Sequence, residues 1–222
     1  IDAVYEDEHV MVVNKPAGLV MHPTRSHVDG TLANGFSYLM QQRGTPLPFR
    51  PVGRLDADTS GLVLLAMNAY AAPLLGKSMQ KQYVALADGA MPLGPGQIDV
   101  PLGPRPDSVI AQQVTKDGRR AVTEYEVVCA SDVGSFVKVW PKTGRTHQIR
   151  AHFAHVGHAL LGDRLYGGDC STMQRHALHC AGLCFEHPRG GKQLHFKAEM
   201  PEDMRLAAIA AGMCEECEKT EK

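Results

Sequence analysis

The apolar positions of this chain fall into short runs, most of them too brief for a helix. Residues 3–5 and 9–14 read as two strands joined at Glu6-Asp7-Glu8. Lys15-Pro16-Ala17-Gly18 is a turn. Residues 31–42 read as a helix, with Thr31 as its N-cap and Gly44 just past its end. The uninterrupted apolar run 62–67 has the length of a buried strand. Asn68 is placed to cap a helix reaching about residue 80. Residues 82–87, 121–128, 135–140, 177–185 and 193–197 are strand-like. Residues 146–156 set Ile149, Phe153 and Val156 on one helical face, and 203–211 form a closing helix. The stretch 91–107 carries five prolines and three glycines and reads as mostly loop. Strands outnumber helices and are rarely separated by helical crossovers. We therefore expect an α+β fold around a bent, largely antiparallel mixed sheet flanked by helices and loops.

Composition changes this picture little. The 222 residues are 44% hydrophobic and 21% charged, as in an ordinary globular chain. The longest apolar run is too short to span a bilayer, and no basic-then-apolar signal segment opens the chain, so a cytoplasmic protein is expected. The chain begins at Ile1 rather than Met, which leaves room for a preceding segment. Six unevenly spaced cysteines read as reduced thiols. The formal net charge of -1 does not announce a polyanionic partner, but its distribution is uneven. Residues 133–162 hold Lys138, Lys142, Arg145 and Arg150 and no carboxylate, which permits a local positive patch.

A short polar segment, Gly53-Arg54-Leu55-Asp56-Ala57-Asp58-Thr59-Ser60-Gly61, stands directly before the apolar run. Loops that open onto rigid strands are where reactive side chains are displayed. Asp58 and Ser60 read as turn-capping groups. Asp56 takes its meaning from the whole segment, which resembles the motif H-R-L-D-x-x-T-S-G of RluA-type pseudouridine synthases. Only Gly53 departs, standing where that family usually has histidine. The resemblance continues in order along the chain, through Asn14-Lys15-Pro16-Ala17-Gly18, His22-Pro23 and Gly30-Thr31-Leu32. It goes on through Lys81-Gln82-Tyr83, Thr143-Gly144-Arg145-Thr146-His147-Gln148-Ile149-Arg150, Leu161-Gly162-Asp163, Tyr166-Gly167, His179 and His187-Pro188.

The resemblance implies the pseudouridine-synthase fold with a central cleft, as one catalytic domain over residues 1–212 followed by a disordered polar tail, 213–222. It implies an enzyme that detaches uracil at N1, turns it and rejoins it to the sugar through C5. That isomerisation imports no group and changes no oxidation state, so no cofactor and no metal are expected. It needs a carboxylate nucleophile, a pocket for the loose base and a route for the C5 proton. By resemblance Asp56 is the nucleophile, Arg145 its cationic partner and Tyr83 an aromatic that packs on the uracil, and the three should meet in one cleft. Arg54, Lys142, Arg150 and His147 are the expected RNA contacts, with Arg119 and Arg120 as further contributors to a positive cleft. The partner is structured RNA, ribosomal or transfer, bound by a monomer with no membrane.

Two other readings compete. One is an RNA-binding member of the same fold without activity, which the presence of Asp56, Tyr83 and Arg145 disfavours. The other is a metal-dependent hydrolase built on Cys170, His176, His179, Cys180, Cys184 and His187, where the spacing lacks a C-x2-C pair. The Cys214-Glu215-Glu216-Cys217 pair stands alone, and His152, His155 and His158 read as surface groups.

Overall fold

The computed structural model describes residues 1–24 and 27–213. In chain order it begins β1 (Ala3–Glu6), β2 (Val10–Lys15), α1 (Leu32–Gln42), β3 (Pro51–Val52), β4 (Ser60–Ala66) and α2 (Ala71–Ser78). Then follow β5 (Gln80–Asp88), β6 (Gly94–Asp99), β7 (Leu102–Pro104), β8 (Gln112–Val114), β9 (Val122–Ala130) and β10 (Gly134–Pro141). The chain continues with α3 (Gln148–His155), β11 (Leu178–Glu186), β12 (Gln193–Lys197) and α4 (Glu202–Ala210). This is the expected α+β fold with largely antiparallel strand pairing. The chain divides into two compact units: Ile1–Lys81 with Cys180–Ala198, and Gln82–His179 with the chain from Glu199 onward.

In the first unit β2 pairs antiparallel with both β1 and β4, and β3 also pairs with β4. Every residue of β4 is buried. That is why its sequence, Ser-Gly-Leu-Val-Leu-Leu-Ala, does not alternate: both faces are covered. Thr31 caps α1 through a capping box, its hydroxyl accepting from the Asn34 N–H while the Asn34 side chain accepts from the Thr31 N–H. Asn68 does not take the cap position expected of it: Tyr70 stands there without a side-chain cap, while the Asn68 side chain accepts from the Ala71 N–H at 2.9 Å from the turn before α2, which stops at Ser78, two residues short of expectation. β11 and β12 form an antiparallel hairpin, with Phe185 stacked on Phe196 at 5.8 Å.

In the second unit β10 pairs antiparallel with β5 and β9, and β9 with β6. The stretch read as loop in fact contains β6 and β7. β6 carries Pro95 because it ends the strand order and needs no donor on its outer edge. β7 and β8 make a separate hairpin against which α3 packs. Helix α3 begins at Gln148, two residues later than expected. His147 before it is left-handed, with φ 51°, so the helix cannot extend back through it. Ile149 and Phe153 are buried as expected, but Val156 lies past the helix end and is 40% exposed. His152, expected on the surface, is completely buried between Thr123 and the Val100 carbonyl. Of the expected polar tail, Met213 is buried; the rest, with Cys214 and Cys217, lies outside the described residues.

Candidate active site

The Asp56 segment is a turn closed by the Thr59 N–H donating to the Asp56 carbonyl at 3.2 Å. Leu55, Thr59 and Ser60 are buried around it, Asp56 is half-buried, and Arg54 and Asp58 are exposed. Two features fix this turn. The first is Gly61, paired with Lys15 across β2 and β4. Its φ is +110°, and a Cβ there would lie 2.3 Å from the Cys180 carbonyl oxygen, so no other residue fits. The second is Lys15, 1% exposed, whose ammonium donates to the carbonyls of Pro16, Leu19 and Ala57 at 2.9, 2.8 and 2.7 Å. A buried cation thus ties the turn after β2 to the residue next to Asp56.

Tyr83 lies on β5 opposite Val139 of β10 and is 7% exposed. Arg145 sits in the turn after β10 and is exposed, its Nε donating to the Arg120 carbonyl at 3.0 Å. Buried Gln148 builds that turn. Its amide donates to the Val122 carbonyl and Thr123 hydroxyl, and its oxygen accepts from the Thr143 hydroxyl and Arg145 N–H. His147 packs edge-on against Tyr166, with Nδ1 3.2 Å from the tyrosine hydroxyl.

Arg150 corrects the sequence reading. Expected to reach RNA, its side chain is 8% exposed and bound in a two-pronged pair with Asp163, at 2.7 and 2.9 Å, over the Tyr166 ring. The expected positive patch is also thinner than the carboxylate-free window suggested. Lys142 pairs with Glu124 at 2.8 Å and Arg120 with Asp99 at 3.3 Å. The neutralising acids come from outside the window, Asp163 one residue beyond it and Glu124 on the neighbouring strand β9. Among the described residues no three of the Cys, His and acidic side chains are grouped to hold a metal ion.

Residues 9–155 match the family model for RNA pseudouridylate synthase. The chain belongs to the RNA pseudouridylate synthase family. It is 41% identical, over 92% of its length and 74% of the relative, to the uncharacterized RNA pseudouridine synthase YjbO of Bacillus subtilis. It is 40% identical to ribosomal large subunit pseudouridine synthase D of Zymomonas mobilis, over 93% of this chain and 71% of that one. The namesake from Pseudomonas aeruginosa is 36% identical over 91% and 69%. The fold is shared with human RNA pseudouridylate synthase domain containing 4, with a TM-score of 0.73, 20% identity and coverage of 95% and 93%. The chain is therefore an isomerase that forms pseudouridine in RNA.

Sequence reading missed Lys15 and the Arg150–Asp163–Tyr166 cluster as functional supports. The signal for Lys15 was present: a lysine at the end of an apolar strand, inside a segment that carried the resemblance. Nothing in the sequence separated buried Arg150 from exposed Arg145.

Proposed function

We propose that this protein isomerises uridine in large-subunit ribosomal RNA, with Asp56 as the nucleophile. The observation that carries the reading is the Asp56 turn itself: a half-buried carboxylate at the mouth of a wholly buried strand, braced by the buried ammonium of Lys15. A nucleophile held this way loses little freedom on attack, which is where an intramolecular arrangement gains its rate. Asp56 attacks the sugar at C1′ as the bond to N1 breaks, freeing uracil as its N1 anion. The base turns in place, C5 bonds to C1′ as the Asp56–sugar bond breaks and the carboxylate is released, and C5 loses a proton while N1 takes one up, so that the product is an isomer of the substrate. Tyr83, nearly buried on β5, offers a flat face for the loose base. Arg145 supplies a cation for the carboxylate. Arg54 and Lys142 contact the phosphate backbone. The Lys142–Glu124 pair is half-exposed, and such pairs are worth less than about 1 kcal/mol, so a phosphate can displace the glutamate. His147 positions the Arg145 turn, and Arg150 serves the interior. The protein acts as a monomer without metal or cofactor.

Large-subunit ribosomal RNA is preferred because two of the relatives are named for it. The test is to incubate the purified protein with in vitro transcribed large-subunit ribosomal RNA and with transfer RNA, then map pseudouridines. Site-specific conversion in the ribosomal transcript is expected. Conversion in transfer RNA alone overturns the substrate assignment.

A further inference from the structure

His152, on α3, is an ionisable side chain sealed from solvent at the end of a chain of hydrogen bonds that starts at Arg145. Two backbone partners fix which way the Gln148 amide points. Its oxygen accepts from the Arg145 N–H at 3.1 Å, and its nitrogen donates to the Val122 carbonyl at 2.9 Å. The second amide hydrogen goes to the Thr123 hydroxyl oxygen at 3.0 Å. That oxygen accepts from Gln148, so its own proton is left for His152 Nδ1, 2.9 Å away. His152 Nε2 stands 3.1 Å from the Val100 carbonyl, which can only accept. The imidazole is therefore neutral, with its proton on Nε2.

This arrangement has no place for a second proton. Neither Thr123 nor His152 has exposed surface. Among the described residues the Thr123 hydroxyl bonds to the Gln148 and His152 side chains alone. A proton on Nδ1 would turn that hydroxyl back on the Gln148 amide and set donor against donor in the interior, where an unmet polar group costs most. The strain falls on Gln148. Gln148 holds Arg145 at both ends of its backbone, through the Arg145 N–H and through its own N–H, which donates to the Arg145 carbonyl at 3.2 Å. Burial holds His152 below the ordinary histidine range. His155 on the same helix adds to this, while the Val100 carbonyl and Asp99 at the end of β6 oppose it without reversing it.

We propose that His152 is a positioning residue for the reaction: as a neutral imidazole it takes the Thr123 proton, which keeps the Thr123 oxygen turned to the Gln148 amide that holds the Arg145 turn. The role of Arg145 as the cation of the site is the reading on which this rests. What matters at His152 is the acceptor at Nδ1, facing Thr123. The donor at Nε2 serves the fold by satisfying a buried carbonyl.

Two variants separate these roles, because each keeps one half of the imidazole. His152→Asn sets an acceptor where Nδ1 stands and leaves the Val100 carbonyl unmet. His152→Gln reaches Val100 with its amide and sets no acceptor before Thr123. Both lose one buried hydrogen bond, so a merely structural His152 predicts equal damage. We expect His152→Asn to keep most of kcat on in vitro transcribed large-subunit ribosomal RNA. His152→Gln should lose on the order of ten- to a hundredfold in kcat with KM near wild type, as a turn displaced by up to about 1 Å would cause. Thr123→Ser should keep kcat and Thr123→Val should lose it. A second measurement needs only wild-type protein. Nitrogen NMR of the imidazole should show the Nε2–H tautomer at neutral pH. On acidification the Arg145 amide resonance should move with the same midpoint as His152, below about pH 6.5. Equal loss of kcat in folded His152→Asn and His152→Gln, an Nδ1–H tautomer, or an Arg145 amide indifferent to the titration of His152 overturns the proposal. Wild-type protein that forms no pseudouridine overturns the functional reading instead, and the NMR titration still decides whether His152 governs the turn.

Discussion

Lys15 is the residue whose removal should separate a braced nucleophile from a merely nearby one. Lys15→Met keeps the length and apolar stem of the side chain and deletes only the ammonium. Three carbonyls, those of Pro16, Leu19 and Ala57, then lose a charged donor in a site where the residue is 1% exposed. Each buried acceptor left without a donor costs about 1–3 kcal/mol. Against this, the variant no longer carries a buried cation, whose desolvation costs several kcal/mol. The balance should be a net loss of roughly 2–4 kcal/mol, which for a chain of this size lowers Tm by about 4–16 °C. The Ala57 carbonyl is adjacent to Asp56, so the turn should also shift. A displacement near 1 Å costs about a hundredfold in rate. Thermal unfolding gives the first number, and single-turnover pseudouridine formation at saturating RNA gives the second. We expect kcat to fall far more than RNA affinity, and Lys15→Arg to recover part of the stability. A Lys15→Met protein with wild-type Tm and wild-type single-turnover rate would refute the brace.

Asp163→Ala should destabilise by about 3–5 kcal/mol, because it strands the buried guanidinium of Arg150. The double variant Arg150→Met/Asp163→Leu should recover most of that loss in a urea titration and keep the wild-type salt slope for RNA; a changed slope would mean that Arg150 does reach phosphate. Asp7 gives a pH signature. Burial pushes its carboxyl up, but hydrogen bonds from the Tyr5 hydroxyl, the His9 and Val10 N–H groups and His187 outweigh burial and hold it below its ordinary value. A depressed folded value stabilises the fold above the unfolded pKa, and the contribution is lost as pH falls through the folded value. The stability gap between wild type and Asp7→Asn should therefore be open at neutral pH and close below about pH 4. A gap that is constant across urea midpoints from neutral to acid would contradict this.

Much of the first unit was legible because its signals are local. The apolar run before Asn68 and the Thr31 cap each announce an element without help from distant residues, and both elements formed. The strand β6 was not legible, because its prolines and glycines carry turn chemistry that only an edge position overrides. The start of α3 was misplaced because a left-handed histidine has no sequence signature of its own. For the candidate site, residue types were readable from the motif, but burial was not. Arg145 and Arg150 look alike in the sequence, and only the partner Asp163, supplied from beyond the helix, decides that one is interior and the other exposed. The same holds for charge: a window without acids said nothing about Glu124, which reaches Lys142 across a strand pair. Lys15 shows the converse, a residue inside a legible segment whose role depends on a carbonyl 42 positions away.

The central claim is that Asp56 is the nucleophile, and Asp56→Asn tests it most directly. Asparagine keeps the shape and removes the charge that attacks. The variant should be compared with wild type for thermal stability, RNA binding and pseudouridine formation in the same ribosomal transcript. It should fold and bind RNA with near wild-type affinity, yet form no detectable pseudouridine, and Asp56→Glu should be severely impaired as well. A folded Asp56→Asn protein that converts uridine at a rate close to wild type would contradict the account.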